Sequence, residues 1–265
     1  MYNFQNPFSL DIQASYGKVI IEHSKDNNCT VDIEGTEAQV KDFSVTFNAE
    51  EVKVTQKSAS SNFGDVYIGR QSIGNFIQSN GVNINHSGGG INIFGVSGSV
   101  TINGKKINLS DIEGDTSVDS NEAPVVTIKI PKVDCTIELS NIAELKAKLS
   151  LSEVDVELSG TAKAELYMCD SLKADLSGTS SLKATIANGS LDADTSGCSS
   201  LQVYANSIIE SVKTNSSGTS SIYTNGTVKG NYKAVASGCA KVSHSGVVQG
   251  KVKESTSGMG KINVG

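Results

Sequence analysis

The sequence predicts an all-β fold: a parallel β-solenoid with coils of about 20 residues. Three observations carry that expectation. A short turn motif recurs along the second half of the chain at near-constant spacing. Apolar and polar residues alternate on both flanks of every turn. The composition is that of strands and turns, with 26 Gly, 3 Pro and no Trp among 265 residues.

The turn comes first. Its anchors are Gly160, Gly178, Gly197, Gly218, Gly238 and Gly258, separated by 18, 19, 21, 20 and 20 residues. Asn141 extends the series backwards by 19 residues. Asn tolerates a left-handed backbone next best after Gly, so it can anchor the same turn. Six positions before the anchors stand Cys135, Val154, Leu172, Leu191, Val212, Tyr232 and Val252. Four after stand Leu145, Ala164, Leu182, Leu201, Ile222, Val242 and Ile262. The positions between are mostly polar. This is a period of two, the signature of a strand with one buried face. A single unit cannot bury its apolar column. Stacking the units closes a shared core, with equivalent side chains about 4.8 Å apart along the axis. Asn225-Gly226 with Gly230, and Ser245-Gly246 with Gly250, mark further corners, so the last full coils read as three-sided.

Upstream, residues 1–57 read as an N-terminal β module, with the alternating segments FSLDIQA, GKVIIEH, CTVDIEG, FSVTF and EVKVTQ. Residues 58–123 read as a Gly/Asn-rich insert, either two or three short strands or a mobile segment. PVVTIKIP restarts firm β structure, and residues 124–265 form the solenoid repeats. The solenoid and the N-terminal module are expected to make one continuous body.

The order FSLDIQASYGKVIIEHSKDNNCTVDIEG, PVVTIKIPKVDCTIELS, serial LSG or TSG coils and a final SGMGKINVG resembles the bacterial head-GIN, putative auto-transporter adhesin family. The resemblance covers residues 8–56 and 124–265. It implies a right-handed β-helix shaped like the single-stranded superhelix of pectate lyases. It also implies an adhesive role at the cell surface or in secretion, with no catalytic residues to transfer.

The charge pattern excludes some functions. The formal net charge is −6, and Arg70 is the only arginine. A phosphate-tracking surface needs clustered basic groups, so no nucleic-acid partner is expected. No run of 18 apolar residues exists, so no transmembrane helix is expected. The start, MYNFQNPFSLDIQ, lacks the basic and apolar regions of a signal peptide. The expectation is therefore a cytoplasmic protein, or one whose export signal has been removed. The five cysteines lack CxxC spacing. Cys198 and Cys239 fall two coils apart, beyond disulfide reach, and read as reduced, small packing residues.

Three sets of residues could carry chemistry. Glu138, Glu157, Asp175 and Asp194 sit three before successive anchors, followed by Asn215. They predict an outward ladder of acids, which is a solvated face or a low-affinity cation site for an ion such as Ca²⁺. His244 falls in an inward column with Leu166, Ala184, Val203, Thr224 and Val264, and reads as a core histidine. Tyr167 and Tyr204 lie seven after their anchors and predict a shared outer face, with Tyr223 also outward.

The reading these patterns support is a non-enzymatic adhesin or interaction scaffold. Its partner would be a protein or a cell-surface glycan, with no cofactor. Alternatives are a carbohydrate-binding or carbohydrate-active β-helix, and a cytoplasmic regulatory or assembly module. The last coil stops part-way round, so its open edge is expected to pair with another chain or to be covered.

Overall fold

In the computed structural model the described residues are 1–48, 50–57, 83–87, 90–94, 99–102, 105–108 and 123–265. The fold is nearly all β, with coils of about 20 residues stacked in parallel through about six turns. The chain opens with β1 (Tyr2–Gln5), β2 (Ser9–Ala14), β3 (Lys18–His23) and β4 (Asn28–Glu34). A short helix α1 (Glu37–Lys41), β5 (Phe43–Asn48) and β6 (Glu51–Gln56) follow. Next come β7 (Asn83–Ser87), β8 (Gly90–Phe94), β9 (Ser99–Ile102) and β10 (Lys105–Asn108). The coils proper use β11 (Val125–Ile130), β12 (Asp134–Leu139), β13 (Glu144–Leu158), β14 (Lys163–Leu176), β15 (Ser181–Ile186), β16 (Leu191–Thr195) and β17 (Ser200–Ile209). They end with β18 (Val212–Ser216), β19 (Ser221–Val228), β20 (Tyr232–Ala236), β21 (Lys241–Ser245), β22 (Val252–Thr256) and β23 (Lys261–Val264).

Two compact units result. One combines Met1–Ser58 with Ala123–Gly265, and the other spans Ala59–Glu122. In the second unit the described strands form two antiparallel hairpins, β7 with β8 and β9 with β10. The expectation of a mobile segment there falls largely outside the described residues.

The first unit is built on two long sheets. In the first, β6, β2, β12, the end of β13, the end of β14, β16, β18, β20 and β22 pair in parallel in that spatial order. In the second, β11, β3, the start of β13, the start of β14, β15, β17, β19, β21 and β23 do the same. A short third side appears as pairs such as Leu151 with Cys169, and as the bridge Val228–Val248. At the N-terminal end three strands run antiparallel: β5 on β6, β4 on β11 and β1 on β4. Chain order and spatial order part company here. The rung made by β2 and β3 lies between the rung of β6 and β11 and the rung that begins with β12.

The alternation places each residue as its column requires. Leu145, Leu182, Leu201, Ile222 and Val242 are at most 3 % exposed, while the intervening Lys163, Lys183 and Lys241 face water. Burial of aliphatic side chains like these supplies the main stabilising term, about 1.5–3 kcal/mol per fully buried residue. His244 is buried in its inward column, as its position predicts.

The anchor turn shows why glycine recurs. Gly178 has φ +70°, and a Cβ there would lie 2.6 Å from the carbonyl oxygen of Gly160, the anchor one coil earlier. The coils are this close because the turns are themselves hydrogen-bonded into a ladder. Thr179 N–H donates to Gly160 O at 2.7 Å, and Cys198 N–H donates to Gly178 O at 2.7 Å. Asn141 holds the same left-handed conformation, φ 52°, at the start of the series.

The cysteines require one correction. Cys29, Cys135 and Cys169 are buried and unpaired, but Cys198 and Cys239 are exposed and unpaired. The position after each anchor points outward from the corner, so these two do not pack inside. Cys198 Sγ instead lies 2.9 Å from the hydroxyl of Thr219, one coil on.

Candidate functional site

The acid column forms as its spacing predicts. Glu138 pairs with Glu157, Glu157 with Asp175, and Asp175 with Asp194, each in register across adjacent parallel strands. All four are exposed. The column continues to Gln13 on one side and Asn215 on the other. Among the described residues none of these four carboxylates has a cation within ion-pair distance, whereas three acids of the next column do. There Lys53 meets Asp11 at 2.6 Å, Lys173 meets Asp155 at 2.6 Å, and Lys213 meets Asp192 at 2.8 Å. Lys173 is held above its usual pKa, first by its hydrogen bond to Asp155, with the fields of Glu157 and Asp175 adding to it. The unpaired acids therefore project negative potential across the face.

A groove of about 480 Å³ runs beside this column. Its walls include Glu138, Glu157 and Asp175, and the serines Ser15, Ser140, Ser159 and Ser177. The serines arise because the residue before each anchor is a serine in every coil. Its backbone N–H donates to the carbonyl two residues before the anchor of the preceding coil, as Ser159 does to Leu139 O and Ser177 to Leu158 O.

Gln56 forms part of the same wall. It closes β6 at an inward position and is only 5 % exposed. By register it precedes Ala14, Leu139, Leu158 and Leu176 in their column. Its backbone, however, leaves the coil here, and Lys57 N–H donates to Asp42 O instead. The side chain fills the vacant role. Gln56 Oε1 accepts from the backbone N–H of Ser15 at 2.8 Å and of Tyr16 at 3.0 Å, replacing the carbonyl that a regular corner would present. That fixes the amide orientation and leaves Nε2 as a buried donor with no acceptor. An unsatisfied buried donor costs about 1–3 kcal/mol.

As a metal site the acid column is spread out. Its carboxylates lie in a line, and among the described residues no three His, Cys, Asp or Glu gather in a way that could hold one ion.

The tyrosines make a contact that the column reading did not foresee. Tyr167 is 61 % exposed, but it is Tyr204 and Tyr223 that meet, edge to face, with ring centroids 6.0 Å apart. They sit on adjacent rungs of the second sheet, two positions apart along the strands, because Tyr204 lies opposite Asn225. The same-column reasoning that joined Tyr167 with Tyr204 overlooked this diagonal contact, which long aromatic side chains readily make.

His244 sits in a small polar network inside the coils. Its Nδ1 lies 2.9 Å from Thr224 Oγ1, which in turn lies 2.9 Å from the Tyr232 hydroxyl. Its Nε2 is buried without a partner. Burial holds its pKa below the usual histidine range. Burial also pushes the thiols of Cys29 and Cys169 up to about 12, leaving them protonated and unreactive.

Comparison with known proteins bears on this arrangement. A family profile described as putative auto-transporter adhesin, head GIN domain, matches residues 12–207. The chain belongs to that family. The match runs through residues 58–123, which the sequence motifs left out, and stops short of the last coils. Among solved structures the head-GIN chain is similar to a putative adhesin from Bacteroides fragilis, with a TM-score of 0.61 and 14 % identity, covering 99 % of this chain and 95 % of that one. It is similar to a putative adhesin from Parabacteroides distasonis, with a TM-score of 0.53 and 10 % identity, covering 100 % and 95 %. It is also similar to one from Parabacteroides merdae, with a TM-score of 0.51 and 11 % identity, again covering 100 % and 95 %. At these identities the likeness establishes the shared fold. No protein of curated function matches the chain.

Proposed function

We propose that this head-GIN chain is a non-enzymatic adhesive scaffold acting at the cell surface. The observation that carries the reading is the registered acid column with its adjoining groove, an extended recognition surface on a rigid stack of coils. Its side chains are held by the backbone ladder rather than by a mobile loop, which lowers the ordering cost of binding. Family membership supports the adhesive class. The test is adhesion of the purified chain to host cell layers and to immobilised proteins. Saturable binding without turnover of the bound partner is expected. Release of a cleaved product would overturn the reading.

The Tyr204–Tyr223 pair favours a second reading, a carbohydrate-binding face. Partly exposed aromatic rings such as these can stack on sugars, and Gln202 and Asn225 lie opposite these tyrosines on the neighbouring strands. A glycan array separates the two: loss of glycan signal on Tyr204→Ala would support this face.

A further inference from the structure

We propose that the groove along the acid column binds an extended, lysine-rich polypeptide segment. The inference rests on the adhesive-scaffold reading and names the partner chemistry at that site. Four observations converge. The carboxylates of Glu138, Glu157, Asp175 and Asp194 stack in register, yet among the described residues none has a cation within ion-pair distance, and Lys53, Lys173 and Lys213 act on them only through their fields. The lysines nearest to them are already committed to Asp11, Asp155 and Asp192. A groove follows the first three of these acids. Gln56, in the groove wall, holds a buried donor without an acceptor.

Each observation constrains the occupant. Like charges about 4.8 Å apart repel, and a linear polycation relieves that repulsion along the whole row. A single metal ion needs its oxygens gathered around one point, and the acids do not gather. A neutral glycan would desolvate the carboxylates without compensating their charge. A peptide in extended form places same-side residues about 6.6–6.8 Å apart. The flexible stem of lysine absorbs the mismatch with the acid spacing. A peptide also carries a carbonyl at every residue, which Gln56 Nε2, buried in this structure, would reach by turning towards the groove. The serine hydroxyls of Ser140, Ser159 and Ser177 line the same wall and can bond the remaining backbone groups.

The experiment is fluorescence anisotropy of labelled hexalysine with the full chain at low ionic strength. The groove variant is Glu157→Gln with Asp175→Asn, and the control is Glu144→Gln with Glu210→Gln, acids of other faces. The groove variant should weaken binding about tenfold, because each lost exposed ion pair contributes up to ~1 kcal/mol. The control should change it less than about twofold, and salt should weaken binding to the unaltered chain. Both variants alter exposed side chains, and a thermal melt verifies that they fold. Equal losses in the two variants would overturn the proposal, as would tighter binding of neutral chitotetraose than of hexalysine. If the chain adheres to cells while hexalysine affinity ignores the groove variant, the groove assignment alone fails. If hexalysine binds as expected but no cell or protein surface is held, the adhesive reading alone fails.

Discussion

From Val133 to Leu191 the inward columns hold mostly Leu, Val, Ile and Ala. From Thr195 to His244 many of the same positions hold Thr195, Thr214, Ser216, Ser220, Thr224, Tyr232 and His244, all buried. The backbone ladder runs through both regions, with register shifts at Ala147/Ser150, Leu166/Cys169 and Tyr204/Ile208. The stack therefore fixes the size and direction of an inward side chain more tightly than its polarity. Polarity is tolerated because the next rung supplies a partner. Thr195 Oγ1 donates to Ser216 Oγ at 2.9 Å and lies 3.1 Å from Ser220 Oγ. The aliphatic coils gain from transfer out of water, about 25 cal/mol per Å². The hydroxyl coils gain little net energy per bond, about 0.5–1.5 kcal/mol, and are penalised when a partner is lost. The C-terminal region is thus expected to be the looser of the two. Hydrogen exchange should show lower protection in β20 to β23 than in β12 to β15, and equal protection would contradict the contrast.

Substitutions can break the comparison, beginning with the largest effect. Leu158→Ala in the aliphatic region should cost about 2–5 kcal/mol in denaturant unfolding, since Leu158 is 2 % exposed. Gly178→Ala should cost about 1–3 kcal/mol for the left-handed backbone alone. The clash with Gly160 O adds to that cost. Thermal melts would show it, whereas Asn141→Gly should be tolerated.

The hydroxyl region has a pH signature that the aliphatic region lacks. The folded pKa of His244 lies below the unfolded value, so the unfolded chain binds more protons. The stability from its neutral, buried form is therefore complete above the ordinary value near 6.5 and is lost as pH falls from there towards the folded pKa. The slope is at most ~1.4 kcal/mol per pH unit. His244→Val, matching Val203 and Val264 in its column, should flatten the pH dependence of melting below about pH 6.5. An unchanged slope would refute the assignment. Thr195→Val should cost about 1 kcal/mol by orphaning hydroxyls in adjacent coils. Glu157→Gln should have the smallest effect, a gain of a few tenths of a kcal/mol from relieved repulsion.

The solenoid was legible because stacking leaves a periodic record. The anchors, the inward columns and the acid column all follow from spacing, and the strands pair in the register that spacing implies. What spacing could not show was partnership outside the repeat. The β2–β3 rung carries ordinary alternation, and nothing in FSLDIQA or GKVIIEH says that β6 and β11 would flank it. Gln56 ends EVKVTQ in an inward phase, a polar residue where the pattern calls for an apolar one. That mismatch was the available signal for its role as a substitute carbonyl. Cys198 and Cys239 were misplaced because a corner residue follows neither flank's alternation.

The displaced rung also dictates an order of assembly. Residues 9–23 must contact both 51–56 and 125–130 on one side and 134–147 on the other. Closing those contacts draws together segments separated by more than a hundred residues, a slow step of high contact order. Each later coil needs only the one before it, so growth beyond that point is local and fast. A chain threading out N-terminus first would wait, incomplete, until β11 arrived, and then zip towards its last turn.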